Sequence, residues 1–307
     1  MNPSSTVGRY EITTRFTGNV RMLFLDYPSD EEMNLIYTEY LKAILSTENL
    51  GKLSKLSQLL ANCSLSIYTK IKNSFTFDMY HHYLFTPRDV SNWLIGLLRY
   101  ECKTPDDLIK AWGYECIRIF KDKLVGKEAK QKFDQFLMDE LTKITSKISL
   151  KEKLDTQVLK SAIYTSLNSN TNTLVECSSD DYKDLLSKGQ LLYERENDEL
   201  FMTYFDENLQ NCKIIDRIIT KDYNNLLLIG TYGIGRKKSV RVVCSFKNYE
   251  LYSLTLTKGY NIKDFKKNIK DLFNLVVLEN RITVFIIEMY HIVIPEIMAY
   301  SNSLLCS

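Results

Sequence analysis

The sequence predicts an α+β then α/β chain: a helical bundle followed by a partial parallel sheet with flanking helices. Three observations predict it. From residue 29 to about 145, stretches with apolar residues at helical spacing follow clear N-terminal capping signals. From residue 226 onward, short apolar runs alternate with helical ones. Finally, the chain holds only eleven glycines, and three of them fall between Gly230 and Gly235, where one such run meets a helix.

Taken in order, Arg21-Met22-Leu23-Phe24-Leu25 ahead of Asp26-Tyr27-Pro28 reads as a short buried strand stopped by proline. Ser29 caps the next helix, with Glu32 placed for a capping box and Met33, Ile36, Tyr37, Tyr40, Leu41 and Ile44 as its apolar stripe. A second helix covers 53–75. A third follows Thr86-Pro87 and carries Val90, Trp93, Leu94, Leu97 and Leu98. A fourth opens at Thr104-Pro105-Asp106-Asp107, carries Leu108, Trp112, Cys116, Ile119 and Phe120, and is expected to end at Gly126. The polar stretch 165–181 has no period and reads as a long loop, and 191–220 reads as helical. Leu226 to Ile229 then reads as a buried strand, Leu251 to Thr257 as a second and Thr283 to Ile287 as a third. Between the last two lies a helix with Ile262, Phe265, Ile269 and Phe273.

Composition excludes several classes of function. A net charge of +2 gives no basic footprint for nucleic acid. No run reaches the roughly 20 apolar residues of a membrane span; Val284 to Tyr300 is interrupted by Glu288, Pro295 and Glu296. Seven scattered cysteines without a C-x-x-C pair and three histidines leave no metal-ligand spacing, so no metal site is expected. The aromatic and histidine cluster from Phe77 to Phe85 reads as core filling rather than a ligand site. Lys263, Lys266, Lys267 and Lys270 read as the solvated face of a helix.

One constellation carries chemistry. Gly230-Thr231-Tyr232-Gly233-Ile234-Gly235 lies between a strand-like run and a helix, where glycines let backbone N–H groups close around phosphate. Gly230 and Gly235 fit the glycines of G-x-x-x-x-G-K-[ST]. Arg236 takes the lysine position, Lys237 the position of the Mg²⁺-binding hydroxyl, and Lys238 follows. Arginine can fork onto phosphate oxygens, but lysine cannot coordinate a cation, and Ser239 comes two residues late. The partner strand, expected to end in Asp-Glu, ends in Glu288-Met289, and Met289 cannot orient a nucleophile. Three readings stand here: a tight turn without ligand, a bound but unhydrolysed nucleotide, or active hydrolysis. The residues favour the second, with ATP or ADP held independently of Mg²⁺ and no catalytic residue.

These segments, in this order, resemble the motor ring of dynein heavy chains, from the end of the third AAA+ module into the fourth. STVGRYEITTRFTGNVRMLFLDYPSDEEMNLIYTEYL resembles the end of the third module's large subdomain (1–28) running into its helical lid (29–150). HYLFTPRDVSNWLIGLLRY resembles the lid's F-T-P-R-D segment, which implies that Arg88 is a sensor arginine toward the third module's nucleotide. AWGYECIRIFKDKLVG resembles the next lid helix. Residues 151–220 then fall as linker and lead-in helices, and 221–307 as a partial phosphate-loop domain of the fourth module. IDRIITKDYNNLLLIGTYGIGRKKS and TKGYNIKDFKKNIKDLF resemble that module's loop and the segment after its second strand. Arg236-Lys237 together with IIEMYHIVIPE is most similar to the type 2 cytoplasmic class.

The resemblance implies a piece of a longer minus-end-directed microtubule motor, serving retrograde intraflagellar transport in the cytoplasm, cytoskeleton and cilium. Its partners are then the rest of the ring and, through the full-length protein, intermediate, light-intermediate and light chains. Microtubules are reached only through a stalk beyond this chain. The family's arginine finger falls near Gly18, where Arg15 is the nearest candidate. The competing expectation is a freestanding interaction protein, a helical bundle fused to a pseudo-phosphate-loop domain.

Overall fold

The computed structural model describes residues 13–23, 25–46, 51–148, 155–167, 173–221, 225–231 and 233–305. A one-turn helix α1 (Thr14–Thr17) precedes the bundle, which comprises α2 (Asp30–Leu45), α3 (Ser57–Ser74), α4 (Pro87–Gly96), α5 (Pro105–Ile119) and α6 (Lys127–Lys147). Next come the short α7 (Thr156–Ser161), β1 (Ile163–Thr165), β2 (Val175–Cys177), α8 (Ser179–Glu194) and α9 (Asp206–Ile219). The remainder is α10 (Arg236–Lys247), β3 (Glu250–Ser253), α11 (Ile262–Phe273), β4 (Thr283–Ile286) and α12 (Pro295–Leu305).

The caps form where the sequence places them. The Ser29 N–H donates to Glu32 Oε2 at 2.8 Å and the Glu32 N–H donates back to Ser29 Oγ at 3.3 Å, which satisfies two of the free donors at the start of α2. Thr104 and Asp107 make the same reciprocal pair on α5, at 2.9 and 3.2 Å. The Thr86 N–H reaches Asp89 Oδ2 at 2.8 Å on α4. Each helix then turns its apolar face inward. Met33, Tyr37, Leu41, Ile44 and Leu45 of α2 are buried, whereas Ile36 and Tyr40 are exposed, so the stripe is narrower than the spacing alone suggests. The core centres on Trp93 of α4 and Trp112 of α5, both fully buried with ring centroids 5.0 Å apart.

Several expectations need correction. Met22, Leu23 and Leu25 are 75%, 82% and 81% exposed and belong to no strand; Phe24 lies outside the described residues. An apolar run becomes a buried strand only beside another strand, and none lies next to it among the described residues. Gly126 begins α6 rather than ending α5: its φ of 87° suits a glycine turn at an N-cap, and α5 has already stopped at Ile119. The polar stretch 165–181 holds an antiparallel hairpin arm, with Tyr164 opposite Glu176, and the start of α8 capped by Ser178. Three-residue strands are too short to show alternation. The helical stretch 191–220 is broken at 195–205.

Leu226 to Ile229 carries no ladder; Leu227 and Ile229 are exposed while Leu226 and Leu228 rest on the second core. β3 and β4 do pair in parallel, Leu251 opposite Val284; α10 packs beside β3, and the Tyr252 hydroxyl of β3 donates to the Asn268 carbonyl of α11 at 2.9 Å. Of the aromatic cluster only Tyr83 and Phe85 are buried; Phe77 is half-buried and Tyr80, His81 and His82 are exposed, so core filling holds for two of the six. Lys263, Lys266, Lys267 and Lys270 are exposed.

The second core joins α8, α9 and α10. α8 and α10 cross at Gly189, where an added Cβ would sit 2.7 Å from the Val242 carbonyl oxygen. Backbone cannot swing aside as a side-chain tip can. Gly189→Ala should therefore cost about 1–3 kcal/mol of overpacking, read as a lowered urea midpoint; an unchanged midpoint would show that the two helices separate freely.

Candidate functional site

The glycine turn is built by backbone conformation. Gly233 and Gly235 have φ of 87° and 82°, a left-handed region that a side chain resists. Gly235 is the N-cap of α10, and no side chain caps that helix and no acid lies in its first turn. Arg236, Lys237 and Lys238 put three cations at the positive end of the helix dipole, an unfavourable arrangement unless an anion offsets it. At Gly230 an added Cβ would meet Ile234 Cδ1 at 3.0 Å and Arg236 Cδ at 3.8 Å, so the Arg236 stem folds over the turn. Thr231 and Ile234 are exposed, and Tyr232 lies outside the described residues.

The cations behave differently from one another. Arg236 is half-buried and has no hydrogen bond or ion pair among the described residues. Lys238 Nζ donates to the Phe201 carbonyl at 2.6 Å. Lys237 is ion-paired with Glu288. Ser239 is buried, its hydroxyl donating to the Gly235 carbonyl at 3.1 Å, and so spent on the helix's own first turn.

Glu288 follows β4. Its carboxylate also accepts the Tyr290 hydroxyl at 2.7 Å, and its N–H donates to His291 Nδ1 at 3.0 Å. That bond needs Nδ1 unprotonated. Burial lowers the pKa of His291, which favours the neutral ring. Partial burial favours the neutral acid at Glu288, but the hydrogen bonds from Lys237 and Tyr290 outweigh it and hold the carboxyl below its ordinary range. The bond to Glu288 correspondingly raises Lys237. Met289 is 85% exposed and takes no part. Arg88 stands apart in the first turn of α4, exposed and without a hydrogen bond or ion pair among the described residues; Arg15 is likewise exposed, in α1.

Sequence reasoning missed a buried polar cluster that ties α9 to the bundle. Arg217 of α9 makes a two-pronged ion pair with Glu115 of α5, and Tyr100 donates to Glu115 Oε1 at 2.7 Å. Arg99 donates to the Arg217 carbonyl at 2.7 Å and to Thr220 Oγ1 at 2.9 Å. Asp216 accepts from Thr165 Oγ1, the Ser166 N–H and Ser166 Oγ at 2.7–2.9 Å. Lys213 donates to the carbonyls of Lys160 and Ala162 at 3.0 and 2.9 Å. Burial, then the nearby Arg118 charge, pushes Lys213 down to about 7. Burial alone would lower Arg217, but the Glu115 carboxylate outweighs it and raises the guanidinium. The available signal was charge at core positions: Glu115 between Tyr114 and Cys116, and Asp216-Arg217 between Ile215 and Ile218.

A helical bundle thus runs into a glycine turn at the start of a helix, beside a parallel strand pair. Residues 40–130 match the family described as "Dynein heavy chain, ATPase lid domain", and residues 200–307 match "P-loop containing dynein motor region D4". Along its whole length the chain is 33% identical to "Cytoplasmic dynein 2 heavy chain 1" of Tripneustes gratilla and 32% identical to its namesake in Mus musculus, covering 8% of each. It is 26% identical to "Dynein heavy chain-like protein 1" of Plasmodium falciparum, covering 6% of it. The chain belongs to the dynein heavy chain family, and it spans about one-twelfth of the length of the cytoplasmic dynein 2 relatives it matches.

Proposed function

We propose that this chain forms the junction of the third and fourth AAA+ modules in a dynein motor ring, and that its glycine turn holds ATP or ADP without hydrolysing it. The reading extends to a motor of the type 2 cytoplasmic class, moving toward microtubule minus ends in retrograde intraflagellar transport within the cilium. Its partners are the remainder of the ring and, through the full-length protein, the intermediate, light-intermediate and light chains.

One observation carries the nucleotide reading: the Lys237–Glu288 ion pair. It joins the two positions that would otherwise hold Mg²⁺, one through a hydroxyl and one through an acid. An ammonium there brings a fixed positive charge toward the phosphates and occupies the acid that a metal-bound water would need. The glycine N–H groups and the α10 N-terminus face the phosphates, and Arg236 supplies the fork. Met289 leaves no group to orient an attacking water, so the nucleotide persists. The Arg88 position in α4 is assigned to the third module's nucleotide. The exposed side chains of Met22, Leu23, Leu25, Leu227, Ile229 and Met289 favour a chain with neighbours over a freestanding protein.

Titration with a fluorescent ADP analogue, with and without EDTA, tests the proposal. Affinity should be the same in both, and Arg236→Ala should weaken it by about tenfold or more, as loss of a charged hydrogen bond implies. Affinity that collapses in EDTA, or is indifferent to Arg236, would overturn the reading.

A further inference from the structure

Away from the glycine turn, a cavity of about 480 Å³ opens where α5, α6, α7 and α9 converge. Its charged lining is Arg118, Lys121, Asp122, Lys130 and Lys160. Asp134 stands behind it, bound by both Lys121 and Lys160, the latter at 2.7 Å. Four cations thus face two carboxylates. Arg118 is the central group. Its side chain is only 7% exposed, with Nη1 3.3 Å from Asp122 Oδ2 and the guanidinium 5.3 Å from the Tyr114 ring centroid. Its Nε is buried with no hydrogen-bond partner among the described residues. Lys130 is exposed and has no ion pair among them. We propose that this cavity is a binding site for a small phosphate-bearing anion.

The chemistry follows from the donors. A buried guanidinium with an unused N–H is costly. Asp122 at 3.3 Å offsets its charge but leaves that donor unmet, and a water would meet the donor without offsetting the surplus of four cations over two carboxylates. A tetrahedral oxyanion does both: its oxygens fit the planar Arg118 fork and accept point-charge contacts from Lys121, Lys130 and Lys160. The lysines differ: burial would lower Lys160, but its bond to Asp134 outweighs that and raises it. Burial pushes Lys121 down to about 8, against the pull of Asp134, and the Arg118 charge adds to burial in lowering Lys213 behind the site. An anion would restore both toward their ordinary range. The site is separate from the glycine turn and does not depend on the nucleotide reading.

The test is calorimetric titration of the full 307-residue chain with inorganic phosphate and, separately, inositol hexakisphosphate, at physiological salt. Lys130→Glu, an exposed position whose exchange leaves the fold intact, should weaken binding by about tenfold or more. Lys130→Arg should retain it, and Arg236→Ala should leave it unchanged. Binding should also fall with added salt. Tighter binding of the inositol phosphate identifies an organic phosphate as the ligand, and the reverse identifies free phosphate; either supports the site. No binding of either anion, equal binding by Lys130→Glu, or binding lost with Arg236→Ala, which would locate the anion at the glycine turn, overturns it.

Discussion

Arg217→Met is expected to lower the unfolding free energy by about 3–5 kcal/mol, the cost of leaving one partner of a buried ion pair uncompensated. The substitution removes both guanidinium bonds to Glu115, a residue with no exposed surface, and leaves its carboxylate, among the described residues, with only the Tyr100 hydroxyl, 2.7 Å away. The pair is also a principal polar tie between two distinct apolar cores, one inside the bundle and one under α8, α9 and α10. Scanning calorimetry should therefore show two transitions in the variant where the parent shows one. The double variant Glu115→Met/Arg217→Met should recover most of the loss, because well-packed apolar residues often replace a buried pair at no cost. A single variant that loses less than about 1 kcal/mol would mean that the pair is solvated in the native state.

The contrast between what was legible in the sequence and what was not follows from range. Capping boxes at Ser29–Glu32 and Thr104–Asp107 join residues three apart, so the signal and the structure share one short window. The same holds for the glycine turn and for the amphipathic faces of α4, α5 and α11. Glu115 and Arg217 lie 102 positions apart, and no local pattern announces their pairing. Short apolar runs fail for a related reason. Leu226 to Ile229 and Met22 to Leu25 have strand composition, but a strand is completed by its neighbour, and composition does not say whether that neighbour is at hand. The Lys237–Glu288 pair is intermediate: both positions were marked from the motif, and only the fold shows that they meet.

α9 connects these features. Toward its C-terminus Asp216 and Arg217 grip β1 and α5; near its N-terminus the Asn208 side chain lies 3.4 Å from the Ser239 hydroxyl in the first turn of α10. One helix thus sets the glycine turn relative to the bundle. A change that tilts α9 would shift the turn's N–H groups, which places control of the candidate nucleotide site partly in residues with no role in binding.

The second large effect separates the bundle from the rest. Trp112→Ala should cost about 3–5 kcal/mol through the cavity it leaves. Trp112 is fully buried, packs against Trp93 with the rings tilted by 34° and donates through Nε1 to Ser64 Oγ at 3.0 Å; that hydroxyl donates onward to the Leu60 carbonyl at 2.7 Å. Trp112→Phe keeps most of the volume but loses the N–H bond and part of the ring, so it should cost about 1–3 kcal/mol, less than the alanine variant. In the parent background Trp112→Ala should shift the single calorimetric transition as a whole, because the Glu115–Arg217 pair makes both cores melt together. With Arg217→Met also present, only the transition belonging to the bundle should move. If both transitions move together, coupling between the cores runs through β1, where Tyr164 belongs to the bundle core and Ile163 to the second, rather than through the ion pair.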